Sequence, residues 1–386
     1  MRLNLFFIPF LLFGFAVESI AQLDIPSPPP GFELDQTRSD PGRPGRKFGK
    51  PYQGPIFDTH AHLDPPRMKK GSQVEEETAG DVVKSIRKAG VDRIIIMPVP
   101  NEGQMGGSLD GAKYRKKLLK KGRGIVYLFC GSQYITNWLH DAYHNGYQSS
   151  DLDRVLARLS EDLGDSECRG IGEIGLYHFN KTGMQNVIAY LPNFEPFLEI
   201  VGRIAEKGAW LDLHAEPVDP SGKSYEKKVF GGLALLYNRY PNLKLILAHT
   251  AMTNTTNVRR ILKTYPNVMM NFKPIRNHEK WRNLESITDS KGRFYQDWAL
   301  LFEEMPERFM VGTDEKFGRI SQGDLGPKGK KVSKYSKQIR RMRDLLGFID
   351  PKAAEFIAYK NADRIFTIKG YACPSLSFKS TFPLSN

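Results

Sequence analysis

The chain has 386 residues, with 56 Lys and Arg against 43 Asp and Glu, and a formal net charge of +13. Three cysteines do not make a disulfide framework, and beyond the N-terminus no apolar run approaches the length needed to cross a bilayer. The positive balance suits anionic polymers, envelope surfaces or acidic substrates without selecting among them.

Residues 1–21 read as a secretory signal, with Arg2 as the charged start, Leu5 to Val17 as the apolar core and Ser19-Ile20-Ala21 as the small-residue cleavage region. The expected location is therefore secreted or periplasmic. Residues 22–54 carry Pro26, Pro28, Pro29, Pro30, Pro41 and Pro44 among glycines and charges, and read as an extended tether or strap. A catalytic domain is expected over 55–370, with a C-terminal tail over 371–386. No internal sequence repeat is visible.

From residue 55 short apolar runs alternate with helical patterns. The candidate strands are Ile56–His62, Arg93–Pro98, Ile125–Cys130, Gly170–Gly175, Trp210–His214, Lys244–His249, Val268–Phe272 and Phe309–Gly312. The candidate helices are Glu75–Ala89, Leu109–Lys121, Asp151–Asp165, Phe194–Lys207, Lys223–Tyr240, Thr256–Tyr265, Trp298–Met305 and Ser333–Leu346. Asp151 is placed as an N-cap, and Gly90 and Gly208 as helix C-terminal signals. Such alternation implies a parallel sheet, and eight units suggest a closed (β/α)8 TIM barrel. A typical barrel needs about 250 residues. The excess falls in 131–150, 176–193, 273–297 and 315–332, loops on the face where barrels carry active sites. A doubly wound open sheet is the other candidate fold. Cys130 ends one strand and Cys168 precedes the next, so parallel strands put them at opposite ends of the sheet and a bridge is not expected.

The segment Asp58-Thr59-His60-Ala61-His62 lies in the first strand. Alternation puts Asp58, His60 and His62 on one face, where two imidazoles can hold one metal ion. Glu173, His214, His249 and Asp314 follow, each near the C-terminal end of its own short apolar strand. A histidine–carboxylate set suits zinc or a similar divalent ion. A tetrahedral catalytic ion uses three protein ligands, so these residues are enough for one ion or two. Asp58 reads as a carboxylate that supports the ligands or contacts a helix, and not as a ligand itself.

Phe57-Asp58-Thr59-His60-Ala61-His62, Gly172-Glu173-Ile174-Gly175-Leu176, Leu213-His214, Ala248-His249 and Gly312-Thr313-Asp314 resemble, in this order, the amidohydrolase superfamily of metal-dependent hydrolases, in its amidohydrolase-related and TatD-like branches. Lys360-Asn361-Ala362-Asp363-Arg364-Ile365-Phe366 resembles the helix that closes these barrels, and the resemblance spans roughly 55–366. It implies His60, His62 and Asp314 on a first ion, His214 and His249 on a second, Glu173 as the bridge and Asp314 as general base. Many superfamily members carry a carbamylated lysine on strand four; here Glu173 takes that place, as in the TatD-like group, while other amidohydrolase-related members keep one ion.

The expected activity is metal-assisted hydrolysis of an amide, lactone or ester in a small or anionic substrate. The alternatives are a TatD-like phosphodiesterase acting on nucleic acid, a mononuclear decarboxylase and a non-catalytic binding protein of the envelope. Nucleic acid is not favoured, because no aromatics interleave along a basic groove. Tyr177, His178, Glu216, Asn271, Lys273 and Arg276 are candidate substrate contacts, although a surface loop is the preferred reading for Tyr177 and His178. Ten basic residues between Lys316 and Arg343 begin at the expected barrel mouth, where they can guide an anion or simply face solvent.

Overall fold

The computed structural model describes residues 49–63, 75–99, 112–179, 188–219, 221–274, 286–289, 291–320 and 334–367, with Ile25 and Ser27. The signal region, nearly all of 22–48, Arg276, much of the basic loop and the C-terminal tail lie outside the described residues.

In chain order the elements are β1 (Phe57–Leu63), β2 (Glu75–Glu76), α1 (Ala79–Ala89), β3 (Arg93–Pro98), α2 (Ala112–Lys121), β4 (Val126–Gly131), α3 (Ser132–Asn145), α4 (Ser149–Gly164), β5 (Cys168–His178), β6 (Ile188–Ala189), α5 (Glu195–Glu206) and β7 (Trp210–Ala215). They continue as α6 (Glu226–Arg239), β8 (Lys244–Leu247), α7 (Thr255–Thr264), β9 (Val268–Phe272), α8 (Gln296–Glu304), β10 (Phe309–Val311), β11 (Glu315–Phe317), β12 (Arg319–Ile320), α9 (Lys334–Leu346), α10 (Pro351–Glu355) and α11 (Asn361–Phe366).

The main sheet runs β10-β9-β8-β7-β5-β4-β3-β1-β11. Its neighbours along that path pair in parallel. The chain that leaves β10 continues as β11 beside β1, with Ala61 opposite Glu315. Asp314 N donates to His60 O at 2.8 Å and Thr59 Oγ1 to Val311 O at 2.8 Å, so the last strand meets the first and the sheet closes as a TIM barrel. All eight expected barrel strands are present, as β1, β3, β4, β5, β7, β8, β9 and β10.

Two apolar layers hold this shape. Phe57, Ile95, Met97, Phe129, Trp210, Ile246, Met269 and Met310 fill the barrel floor, and Ala362 and Phe366 of α11 close it. Phe366 meets Phe57 at 6.1 Å and Phe129 at 5.6 Å between ring centroids. The larger layer lies between strands and helices. α1 feeds it Ala79, Val82, Val83 and Ile86, spaced i, i+3, i+4, i+7 on one helix face. Thr78 Oγ1 accepts from Asp81 N to start α1, and Gly90, at φ 71°, ends it as expected.

Four local expectations change. The stretch taken as a long loop after the third strand begins as α3, whose Ile135, Trp138, Leu139 and Ala142 repeat at helical spacing toward the core. The cap of α4 is Gln148, and Asp151 sits three residues inside, its carboxylate accepting from Gln148 N. β8 stops at Leu247, because His249 to Met252 take positive φ and turn the chain left-handed. Cys130 and Cys168 form a disulfide with Cα atoms 5.8 Å apart. β5 begins at Cys168, opposite Leu128, and its pairing with β4 is offset by an irregularity before Cys130. The two cysteines are thus diagonal neighbours near one level of the barrel and not at its two ends.

The loops after β7 and β9 use one device twice. Asp219 Oδ1 accepts from Ser221 N and Lys223 N, and Asp289 Oδ1 from Lys291 N and Arg293 N. Each hairpin has a positive-φ glycine, Gly222 or Gly292. Each ends at a tyrosine, Tyr225 or Tyr295, that begins the next helix. The sequence similarity behind this local repeat is limited to Asp, Gly, a basic residue and Tyr.

Candidate metal centre

Above the apolar floor, the C-terminal strand ends turn polar side chains inward. His60 and His62, two apart on β1, share that face, with ring centroids 4.9 Å apart. Asp58 does not share it. The register against β3 shifts between Asp58 and Ala61. The Asp58 carboxylate turns to accept from Thr313 N at 3.0 Å, Thr313 Oγ1 at 2.6 Å and Tyr335 Oη of α9 at 2.9 Å. It braces the turn that carries Asp314.

Glu173 enters from β5 and stands among the histidines. Its Oε1 lies 2.7 Å from His214 Nδ1, 3.6 Å from His60 Nε2 and 3.8 Å from His249 Nε2. Its Oε2 lies 3.4 Å from His62 Nε2, which is 3.0 Å from Asp314 Oδ1. Gly172 lets Glu173 come so close: at φ 142°, a Cβ there would fall 2.6 Å from Asp212 O. Gly312 does the same for the last strand, where a Cβ would meet His60 Cβ at 2.8 Å.

The structure therefore brings all six expected ligands together, five of them buried and Asp314 partly open. Asn271 is also fully buried. Its Oδ1 accepts from His249 N at 2.9 Å, and its Nδ2 stands 3.2 Å from His60 Nδ1. It holds the histidines and does not face substrate. Lys273 Nζ pairs with Asp314 Oδ2. Tyr177 and His178 are not surface-loop residues, because β5 runs through both. The Tyr177 ring packs at 5.1 Å from Tyr225, and His178 lies 4.6 Å from His214 between ring centroids. Glu216 Oε1 is 2.9 Å from His214 Nε2. Arg276 lies outside the described residues.

Charge explains the protonation pattern. Burial opposes ionisation of Glu173, but His214 and His60 outweigh it and hold the carboxyl well below its usual range. Burial likewise lowers the His214 imidazole, and Glu173 and Glu216 overcome this and raise it to about 9. His60 is raised well above its usual value, against burial, by Asp212 and Glu173. His249 is pushed well down by burial and by the charges of Lys273 and His60. Partial burial opposes the Asp314 charge, but Lys273 and His62 outweigh it and hold the carboxyl well below its usual range.

The donor set fits a divalent cation. His60 Nε2, which faces Glu173, is buried without a hydrogen-bond partner among the described residues. Two ligands each about 2.0–2.2 Å from one tetrahedral ion stand roughly 3.4 Å apart. The 3.4–3.8 Å separations of His60, His62 and His249 from Glu173 lie near this spacing and beyond a good hydrogen bond. Donor atoms of His60, His62 and Glu173, of Glu173, His214 and His249, and of His60, His249 and Asp314 all lie within 4.8 Å of one another in each set.

One residue of the centre escaped the sequence reading. Asp212 on β7 is fully buried, with Oδ2 3.3 Å from His60 Nδ1. The available signal was its place two before His214 in an apolar strand, which puts both on one face.

Residues 146–368 match the family model described as amidohydrolase. No curated protein matches the chain. Among solved structures the chain is similar to 5-carboxyvanillate decarboxylase from Sphingomonas paucimobilis, at 13% identity over 81% of this chain and 99% of that one, TM-score 0.42. It is similar to β-aspartyl dipeptidase from Fervidobacterium islandicum AW-1, at 13% identity over 81% and 74%, TM-score 0.49. A third is 4-oxalomesaconate hydratase from Rhodopseudomonas palustris, at 12% identity over 81% and 95%, TM-score 0.46.

Proposed function

The chain belongs to the amidohydrolase family, and from that premise we propose that it is an exported metal-dependent hydrolase whose activated water attacks an amide, lactone or ester bond. The observation that carries the reading is Glu173, whose two oxygens are shared among His60, His62, His214 and His249 within 3.8 Å. His60, His62 and Asp314 would hold one divalent ion, and His214 and His249 a second, with Glu173 common to both. Zinc suits these donors. Such ions would lower the pKa of water and polarise the scissile group.

The chain's own residues divide the remaining work. The Asp314 side chain is 18% exposed, against 6% or less for the other five. It therefore faces arriving substrate, takes the water proton on its carboxylate and returns it to the leaving group. Lys273, paired to Oδ2, keeps that carboxylate ionised. The buried floor beneath excludes bulk water. The N-terminal charge and hydropathy pattern supports export, and so does the Cys130–Cys168 disulfide, since such bonds persist in oxidising compartments.

The first test is elemental analysis of the purified protein and of Glu173→Ala. About two ions per chain, falling toward one in the variant, is expected. The same preparations are screened against esters, lactones, amides and phosphodiesters. One ion in both proteins removes Glu173 from the ligand set and favours a mononuclear decarboxylase.

A further inference from the structure

The strand β7 contributes more than its ligand. Asp212 and His214 of β7 and Glu216, just past its end, follow one another at every second position, and all three are buried at 4% exposure or less. Alternation turns them to one side, so they form a row running up the barrel wall. The lower carboxylate meets a histidine from another strand, through Asp212 Oδ2 and His60 Nδ1 at 3.3 Å. The upper one meets its own neighbour, through Glu216 Oε1 and His214 Nε2 at 2.9 Å.

In each case the contact takes the ring nitrogen that Glu173 does not. His60 gives Nε2 to Glu173 and Nδ1 to Asp212; His214 gives Nδ1 to Glu173 and Nε2 to Glu216. When a cation takes the nitrogen that faces Glu173, the imidazole is neutral and carries its one proton on the other nitrogen, where Asp212 or Glu216 accepts it. Asp212 and Glu216 thus select opposite tautomers for two histidines in one centre. Asn271 Nδ2 donates to the same carboxylate oxygen, Asp212 Oδ2, at 3.4 Å and holds it beside the His60 ring. Asp212 Oδ1 has no hydrogen-bond partner among the described residues. A buried carboxylate held by so few groups is costly as a structural element alone.

We infer that Asp212 and Glu216 are positioning residues that set His60 to bind a divalent ion through Nε2 and His214 to bind one through Nδ1. The inference rests on the metal-centre reading above and deepens it. Acceptors of this kind typically change metal affinity by about 10- to 100-fold when removed.

The test is titration of the metal-free protein with Zn²⁺, and separately with Co²⁺ followed by its visible spectrum, for the wild type, Asp212→Leu, Asp212→Asn and Glu216→Gln. Long-range ¹H–¹⁵N correlation of histidine-labelled, Zn-loaded protein reads the tautomers directly. Asp212→Leu is expected to weaken one ion by about 10- to 100-fold and to change the His60 pattern, while the other ion and the His214 pattern stay. Glu216→Gln, which keeps an acceptor oxygen but no charge, is expected to weaken the other ion by a smaller factor and to change the His214 pattern while the His60 pattern stays. Asp212→Asn keeps an acceptor oxygen but no charge, so partial recovery of affinity separates orientation from packing. If Asp212→Leu does not fold, Asp212→Asn and Glu216→Gln carry the test. Variants that bind both ions with wild-type affinity, spectrum and tautomers overturn the positioning roles alone. A wild type that binds no ion overturns the metal-centre reading beneath them.

Discussion

Asp314 stands at a bend with φ 54°, a conformation that a non-glycine residue adopts only where its surroundings enforce it. Here they do: Asp314 N donates to His60 O, and the adjoining Thr313 is gripped by Asp58 through both its backbone and its hydroxyl. The carboxylate is thereby aimed at His62 and Lys273. Under the hydrolase reading, Asp314→Asn keeps the size and loses the proton acceptor. Turnover should fall by about 10²–10⁴-fold, the usual contribution of general acid–base catalysis. Much of the metal should remain, because His60, His62 and Glu173 are untouched. Steady-state rates beside metal content check this, and an active Asp314→Asn protein would remove Asp314 from proton transfer.

At the scale of elements, the hairpins after β7 and β9 are pinned by Asp219 and Asp289. Burial opposes the Asp289 charge, but hydrogen bonds from Arg293 and Lys291 win and hold its carboxyl below its ordinary value. A carboxyl lowered in the folded state binds its proton more weakly there than in the unfolded chain. Its contribution is therefore complete above the unfolded value of about 3.9 and fades as pH falls through the folded one. Asp289→Asn should destabilise the protein at neutral pH, and the gap from wild type should narrow below about pH 4. Denaturant melts of both proteins across that range decide it; a gap that stays constant with pH means the ionised hairpin is not what stabilises the loop.

At the scale of the whole molecule, the disulfide ties β4 to β5 across 38 residues of sequence. It sits just below Gly172 and Glu173, since Cys130 pairs with Ile171 and Gly131 with Gly172. A crosslink of this kind stabilises by about 2–4 kcal/mol, chiefly by restricting the unfolded chain. Cys130→Ser together with Cys168→Ser should lose about that much in denaturant unfolding. Thiol titration of the unreduced, denatured wild type should find a single free group, Cys373, of the three cysteines. Three free thiols would show that the bridge does not form in the protein as made.

The sequence alone determined the barrel and the order of the six candidate ligands along it, because both are written in short local patterns. Short continuous apolar runs mark strands such as Arg93–Pro98, and His60, His62, Glu173, His214, His249 and Asp314 each lie near the C-terminal end of such a run, on the side where the barrel geometry brings them together. What lies across strands was not legible. The pairing of Cys130 with Cys168 depends on a register offset between β4 and β5, and sequence spacing does not reveal register. Asp58 was placed with the histidines because alternation was assumed unbroken, and a shift in the β1–β3 pairing turned it to α9. Asp212 and Asn271 became part of the centre only when β7 and β9 were brought beside β1. A pattern of residues fixes which face a side chain takes; which partner it meets there is decided by how neighbouring strands are staggered.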